Sequence, residues 1–150
     1  MSQSYGCSLW GWESQWSRVQ RHARRIHQAV QGDPTADAWD DVINFFIHAF
    51  SLLDWLESDG LITTAKKRQL LAQAPLSVSR DIANAAKHRH LNRPSRPGGI
   101  ALVREYAPQR NREEEWVVIG AGPKTTIADL ATSVMQELET LVRELRAMGR

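Results

Sequence analysis

Apolar residues in the first segment fall at Trp12, Trp16, Val19, Ala23, Ile26 and Val30. Spacings of four and three place them on one face of a helix, predicted over Leu9–Val30. Gly32, Asp33 and Pro34 end it, since Gly favours turns and Pro cannot continue a helix. A second helix is predicted from Thr35 to Ser58. Trp39, Val42, Ile43, Phe46, Ala49, Phe50, Leu53 and Leu56 form its wide apolar face, which Phe45, Ile47, Leu52 and Trp55 extend. Such a helix belongs at the centre of its domain. Phe46, Phe50 and Leu53 are expected to contact the first and last helices. Asp40, Asn44, His48 and Ser51 form the remaining polar stripe.

"TTAKKRQLLAQA" reads as a short third helix, capped by Thr63 or Thr64 and ended by Pro75. A fourth starts near Ser77 or Ser79 and is stopped by "NRPSRPGG". "GIALVREYA" and "EEWVVIGAG" are short and rich in β-branched and aromatic residues, with polar "PQRNRE" between them, which predicts a β-hairpin. The last helix begins after Thr125 or Thr126, with Ile127, Leu130, Val134, Leu138, Leu141, Leu145 and Met148 repeating at threes and fours. The predicted fold is mainly α. It is an up-and-down bundle of four to five helices with one β-hairpin inserted before the last. The chain of 150 residues reads as one domain, with a flexible N-terminus over 1–8 and the hairpin insertion at 92–124.

Composition sharpens this only in places. With 42% hydrophobic and 24% charged residues, the chain resembles ordinary globular proteins. The longest apolar stretch, "FFIHAFSLL", is too short for a membrane span, and no secretory signal is visible, so a cytoplasmic protein is expected. The single cysteine, Cys7, leaves no internal disulfide and no cysteine-based zinc site. Charge is more informative. Residues 33–59 carry seven acidic residues and no Lys or Arg, whereas residues 80–112 carry eight Lys or Arg against Asp81 and Glu105. A basic run, Arg18, Arg21, Arg24 and Arg25, precedes the acidic segment. Acidic and basic elements can neutralise each other by packing side by side, or the basic ones can face phosphate groups.

The candidate chemistry lies in "DIANAAKHRH", residues 81–90. On a helix, Asp81, Asn84 and His88 share one face, with Lys87 beside them. Ile82, Ala85, Ala86 and Val78 are expected to face inward, the small alanines admitting a close neighbour. His88 titrates near neutrality and suits proton transfer. Asn84 can orient the imidazole or a substrate group, and Lys87, Arg80 or Arg89 can hold a phosphate. The same order of charges also satisfies the helix dipole, with Asp early and Lys, His and Arg late. No cofactor motif is present. "GAGP" lacks the surroundings of a phosphate loop, and no ligand pattern points to a metal. His48, on a largely apolar helix, is read as a subsurface histidine bonded to a neighbour. Trp12 and Trp16 are read as core residues.

The bundle together with "DIANAAKH" resembles the HEPN class of small bacterial helical proteins, many of them RNA-cleaving toxins or defence proteins. Their signature is an Arg, then a polar residue that is often Asn, then a His four to six residues after the Arg. The resemblance places His88 and Asn84 in the His and Asn positions and leaves Ala83 where the pattern has Arg. Arg80 precedes His88 with seven residues between, too many for the pattern. "RHARRIH" fits the spacing with Arg21, His22 and His27, but on the first helix. The resemblance implies a homodimer in which two such helices build a metal-independent endoribonuclease site. It further implies RNA as the partner and a role in toxin–antitoxin or phage-defence biology. The alternative is a non-catalytic helical module that dimerises or binds a protein partner.

Overall fold

The computed structural model describes residues 11–31, 36–87, 100–107, 112–120 and 122–149. The expected N-terminal stretch 1–8 and the start of the hairpin insertion, 92–99, lie outside them. Five helices are formed: α1 (Trp12–Gln31), α2 (Ala36–Ser58), α3 (Thr64–Leu71), α4 (Leu76–Lys87) and α5 (Ile127–Ala147). Strands β1 (Ala101–Ala107), β2 (Arg112–Ile119) and β3 (Thr125–Thr126) precede α5 in a sheet of order β1-β2-β3. The mainly helical architecture with an antiparallel hairpin before the last helix is the one the periodicity predicts.

Local chemistry sets the boundaries. Thr63 caps α3 by accepting a 3.0 Å hydrogen bond from the Lys66 N–H, and Thr126 caps α5 in the same way from Asp129. After α2, Gly60 adopts φ +71°, a left-handed turn that β-carbons disfavour. The Leu61 N–H then reaches back to the Leu56 carbonyl at 2.9 Å.

The core is a continuous cluster drawn from all five helices and β2. Phe45, Phe46, Leu52 and Leu56 on α2 are fully buried, and the two phenyl rings meet edge to face at 5.0 Å. The central position expected for α2 is therefore found, with α1 as the expected neighbour and α4 as the other main one in place of α5, which lies chiefly on α1. Phe50 is only partly buried, with the Lys87 ammonium at the end of α4 over its ring.

The hairpin pairs antiparallel with Ala101 opposite Ile119 and Val103 opposite Val117. The second strand starts at Arg112, inside the segment expected as a loop, and the pairing shifts between Tyr106 and Ala107. β3 was not expected. It adds Thr126 opposite Val117 and Thr125 opposite Val118 just before α5. Two residues are too few to show an alternating pattern. The sheet is tied to the bundle by Trp116 of β2, which stacks on Trp39 of α2 with ring centroids 4.6 Å apart.

A candidate cationic histidine seam

α4 enters the core at its start and emerges at its end. Leu76, Ser77, Val78, Ser79, Asp81, Ile82 and Ala83 are buried, whereas Ala85, Ala86 and Lys87 are exposed. The expected row is therefore split. Asp81 turns inward and lies 3.6 Å from the Arg80 Nε, Asn84 is half-buried, and Lys87 stands outside. The small residue used for close packing is Ala83, fully buried, and not Ala85 or Ala86. The physical reason is depth: the first two turns lie among other helices, and the last turn has passed them. His88 and Arg89 lie outside the described residues.

The phosphate-holding candidates diverge as well. Arg80 borders a cleft of about 730 Å³ with Glu57, Thr64, Lys67, Arg68 and Ser77. The cations there are largely answered. Lys67 reaches both Asp54 and Glu57 at 2.6 Å. Burial pulls the Lys67 pKa down, but the hydrogen bonds that it donates to Asp54 and Glu57 outweigh it and the net shift is upward. Lys87 instead lies 5.7 Å above the Phe50 ring and close enough to His48 to act on its charge.

His48 belongs to a polar seam between α1 and α2. Its ring stacks on His22 of α1, with centroids 4.9 Å apart and planes 14° apart. Gln15, itself buried, donates from Nε2 to both the His48 Nδ1 and the His48 carbonyl, each at 3.0 Å. The Arg18 guanidinium donates to the Gln15 Oε1 at 3.0 Å and lies 5.7 Å over the Trp55 ring. At the other end, Asp41 is 3.8 Å from the Arg25 guanidinium and 3.9 Å from the His22 Nδ1. That separation is too long for a hydrogen bond, so the buried His22 Nδ1 has no hydrogen-bond partner among the described residues.

The seam is electropositive. Burial, then the His22, Arg18, Arg21 and Lys87 charges, push the His48 pKa down from 6.5 to about 4. Burial and Arg25 likewise lower His22, against the pull of Asp41. Both imidazoles are thus held neutral near pH 7 amid Arg18, Arg21, Arg25 and Lys87, with Asp41 beside His22 as the opposing carboxylate among the described residues.

The reading of His48 as a subsurface histidine bonded to a neighbour matches this arrangement. Gln15 and His22 were not foreseen as a unit. Their signal lay in the pattern: they are seven apart, inside the stripe formed by Trp12, Trp16, Val19, Ala23 and Ile26. Two polar residues repeating within an apolar face point to a polar partner opposite. Among the described residues, no group of three or more His, Cys, Asp or Glu is placed to hold a metal ion, and no helix is long and apolar enough to cross a membrane. No protein-family model, curated protein or solved structure matches this chain.

Proposed function

We propose that this protein is a HEPN-like RNA-binding protein. Arg18, Arg21 and Lys87 contact the phosphodiester backbone, and Asn84 and His88 are the candidates for acid–base cleavage. One observation carries the reading: the end of α4 delivers Lys87 to the His22–His48 pair, where α1 already presents several arginines. Positive charge beside a half-buried polar seam attracts polyanions and strengthens each contact by limiting solvent screening. Basic elements and acidic ones do neutralise each other elsewhere, at Lys67 with Asp54 and Glu57. Among the described residues, the cations that act on the seam outnumber Asp41, the carboxylate that acts against them.

The test is binding and cleavage of single-stranded RNAs of varied sequence by the wild type, Lys87→Ala and His88→Ala. Lys87→Ala should weaken binding and lower the slope of log affinity against log salt by about 0.7, the share of one phosphate contact to a single strand. If cleavage occurs, His88→Ala should slow it by roughly 100- to 10,000-fold without unfolding the protein. Absence of salt-dependent binding by the wild type overturns the proposal.

A second reading, a non-catalytic module for a protein partner or a second copy, is favoured by a different surface. A groove of about 400 Å³ runs between α2, α4 and β1, lined by Trp39, Ile43, Ala85, Ala86, Ile100 and Leu102. Its apolar character suits a side chain better than a phosphate. Sedimentation of the free protein and its RNA complex separates the two readings.

A further inference from the structure

We infer that His48 serves the seam as a neutral hydrogen-bond donor, locked in its Nε2–H tautomer by a Gln15–Arg18 relay, and presents that N–H to a phosphodiester oxygen. The ligand half of this inference rests on the RNA reading above; the tautomer half does not.

The lock follows from donor and acceptor types alone. The His48 backbone carbonyl can only accept, so the Gln15 atom 3.0 Å from it is the amide nitrogen. The Arg18 guanidinium can only donate, so the Gln15 atom 3.0 Å from it is the amide oxygen. The two ends fix the same amide orientation independently. Gln15 Nε2 has two hydrogens. One goes to the carbonyl, and the other points to the His48 Nδ1 at 3.0 Å. Nδ1 must then be the acceptor, and the proton of the neutral ring sits on Nε2.

Protonating Nδ1 would set a donor against a donor. Turning the Gln15 amide over does not relieve it, because the amide nitrogen would then face Arg18 and the oxygen would face the His48 carbonyl. The surrounding charges act the same way. α1 brings Arg18, Arg21 and His22 near enough to act on the ring, and α4 adds Lys87. An imidazole so placed is a poor proton acceptor. Its Nε2 takes no part in the relay, and an N–H fixed in direction amid cations is suited to an anionic oxygen.

The deciding measurement is nitrogen-15 NMR of histidine-labelled full-length protein, without RNA, from pH 5 to 8. His48 should remain neutral with its proton on Nε2 throughout. In Gln15→Leu the lock is gone, and the ring should populate both tautomers and titrate at higher pH. Arg18→Met removes one of the two contacts that hold the amide, together with a nearby positive charge, and should raise the pH at which His48 titrates, which covers the case in which the Gln15 variant misfolds. Titration of wild-type His48 near pH 6.5, or a proton resident on Nδ1, overturns the inference.

The donor role is read separately with fluorescein-labelled single-stranded RNA. Glutamine places an amide N–H near the position of the histidine Nε2, so His48→Gln should keep affinity within about threefold, a fraction of one hydrogen bond. His48→Phe has no donor and should lose at least about tenfold, the worth of a hydrogen bond to a charged acceptor. Equal losses in both variants overturn the donor role. If the wild type binds no RNA, the RNA reading and the donor role fall together, and the NMR result alone decides the tautomer.

Discussion

At the scale of single residues, the decisive feature is a neutral imidazole among cations. His48 has its pKa pushed to about 4, against 6.5 for an ordinary histidine. The folded protein therefore holds this proton more weakly than the unfolded chain does. The group's contribution to stability is full above about pH 6.5, declines as the pH falls through that value, and is gone by about 4. The loss is on the order of 2 kcal/mol once the ring's partial exposure to solvent is allowed for. Urea unfolding at pH 7 and pH 4.5 checks it by comparing the wild type with His48→Gln. The wild type should lose more stability than the variant over that interval, because titrations elsewhere cancel in the difference. Parallel losses would mean that burial does not hold the ring neutral. At the same scale, the sequence showed His48 as a histidine needing a partner but not which partner. Gln15 lies 33 positions away, and only the antiparallel packing of α1 on α2 brings it within reach.

At the scale of elements, periodicity carried the fold. α1, α2 and α5 were legible because each repeats apolar residues at threes and fours over five turns or more. Capping was legible for α3 and α5, where a threonine precedes the first turn. What could not be read was depth. The alternation of small and polar residues along α4 implies a face, but not where the helix leaves the core, so Asp81 and Ala85 exchange their expected environments. The candidate site was legible in the same partial sense. Lys87 is one of three phosphate-holding candidates that the sequence offers, with Arg80 and Arg89, while its meeting with His48 depends on α2 and α4 lying side by side. The central place of α2 gives a direct test. Phe46 is completely buried and makes an edge-to-face contact with Phe45. Phe46→Ala should destabilise the protein by roughly 3–5 kcal/mol, through lost burial plus the cavity left behind. Chemical denaturation measures this, and a cost below about 1 kcal/mol would show that the neighbouring helices collapse into the space. A gentler change, Thr126→Ala, removes the side chain that accepts the Asp129 N–H at the start of α5. Its expected cost is about 1 kcal/mol, read as a small fall in the thermal midpoint.

At the scale of the whole molecule, the question is whether the small sheet is an appendage or part of one folding unit. A hairpin alone in water is marginal, so its stability must come from what it packs against. Among the described residues, three connections in particular bind it. Val118 joins the main core, β3 leads directly into α5, and Trp116 stacks on Trp39 at 4.6 Å. The stack joins an element placed late in the chain to the central helix, across the α3 and α4 segments that lie between them in sequence. Sheet and bundle should therefore unfold together. Hydrogen exchange should give the β2 amides of Val117 and Val118 protection that approaches that of the α2 interior around Phe46. Trp116→Ala should break this coupling. Because the ring is half-buried, the loss is expected at roughly 1–3 kcal/mol, with the aromatic pair itself supplying about 0.5–1.5 of that. The variant should lose protection in β2 first while α2 stays closed, turning one transition into two. Wild-type protein in which Val117 and Val118 already exchange far faster than the α2 amides would make the sheet an independent flap, and the tryptophan stack would then be a contact of little consequence.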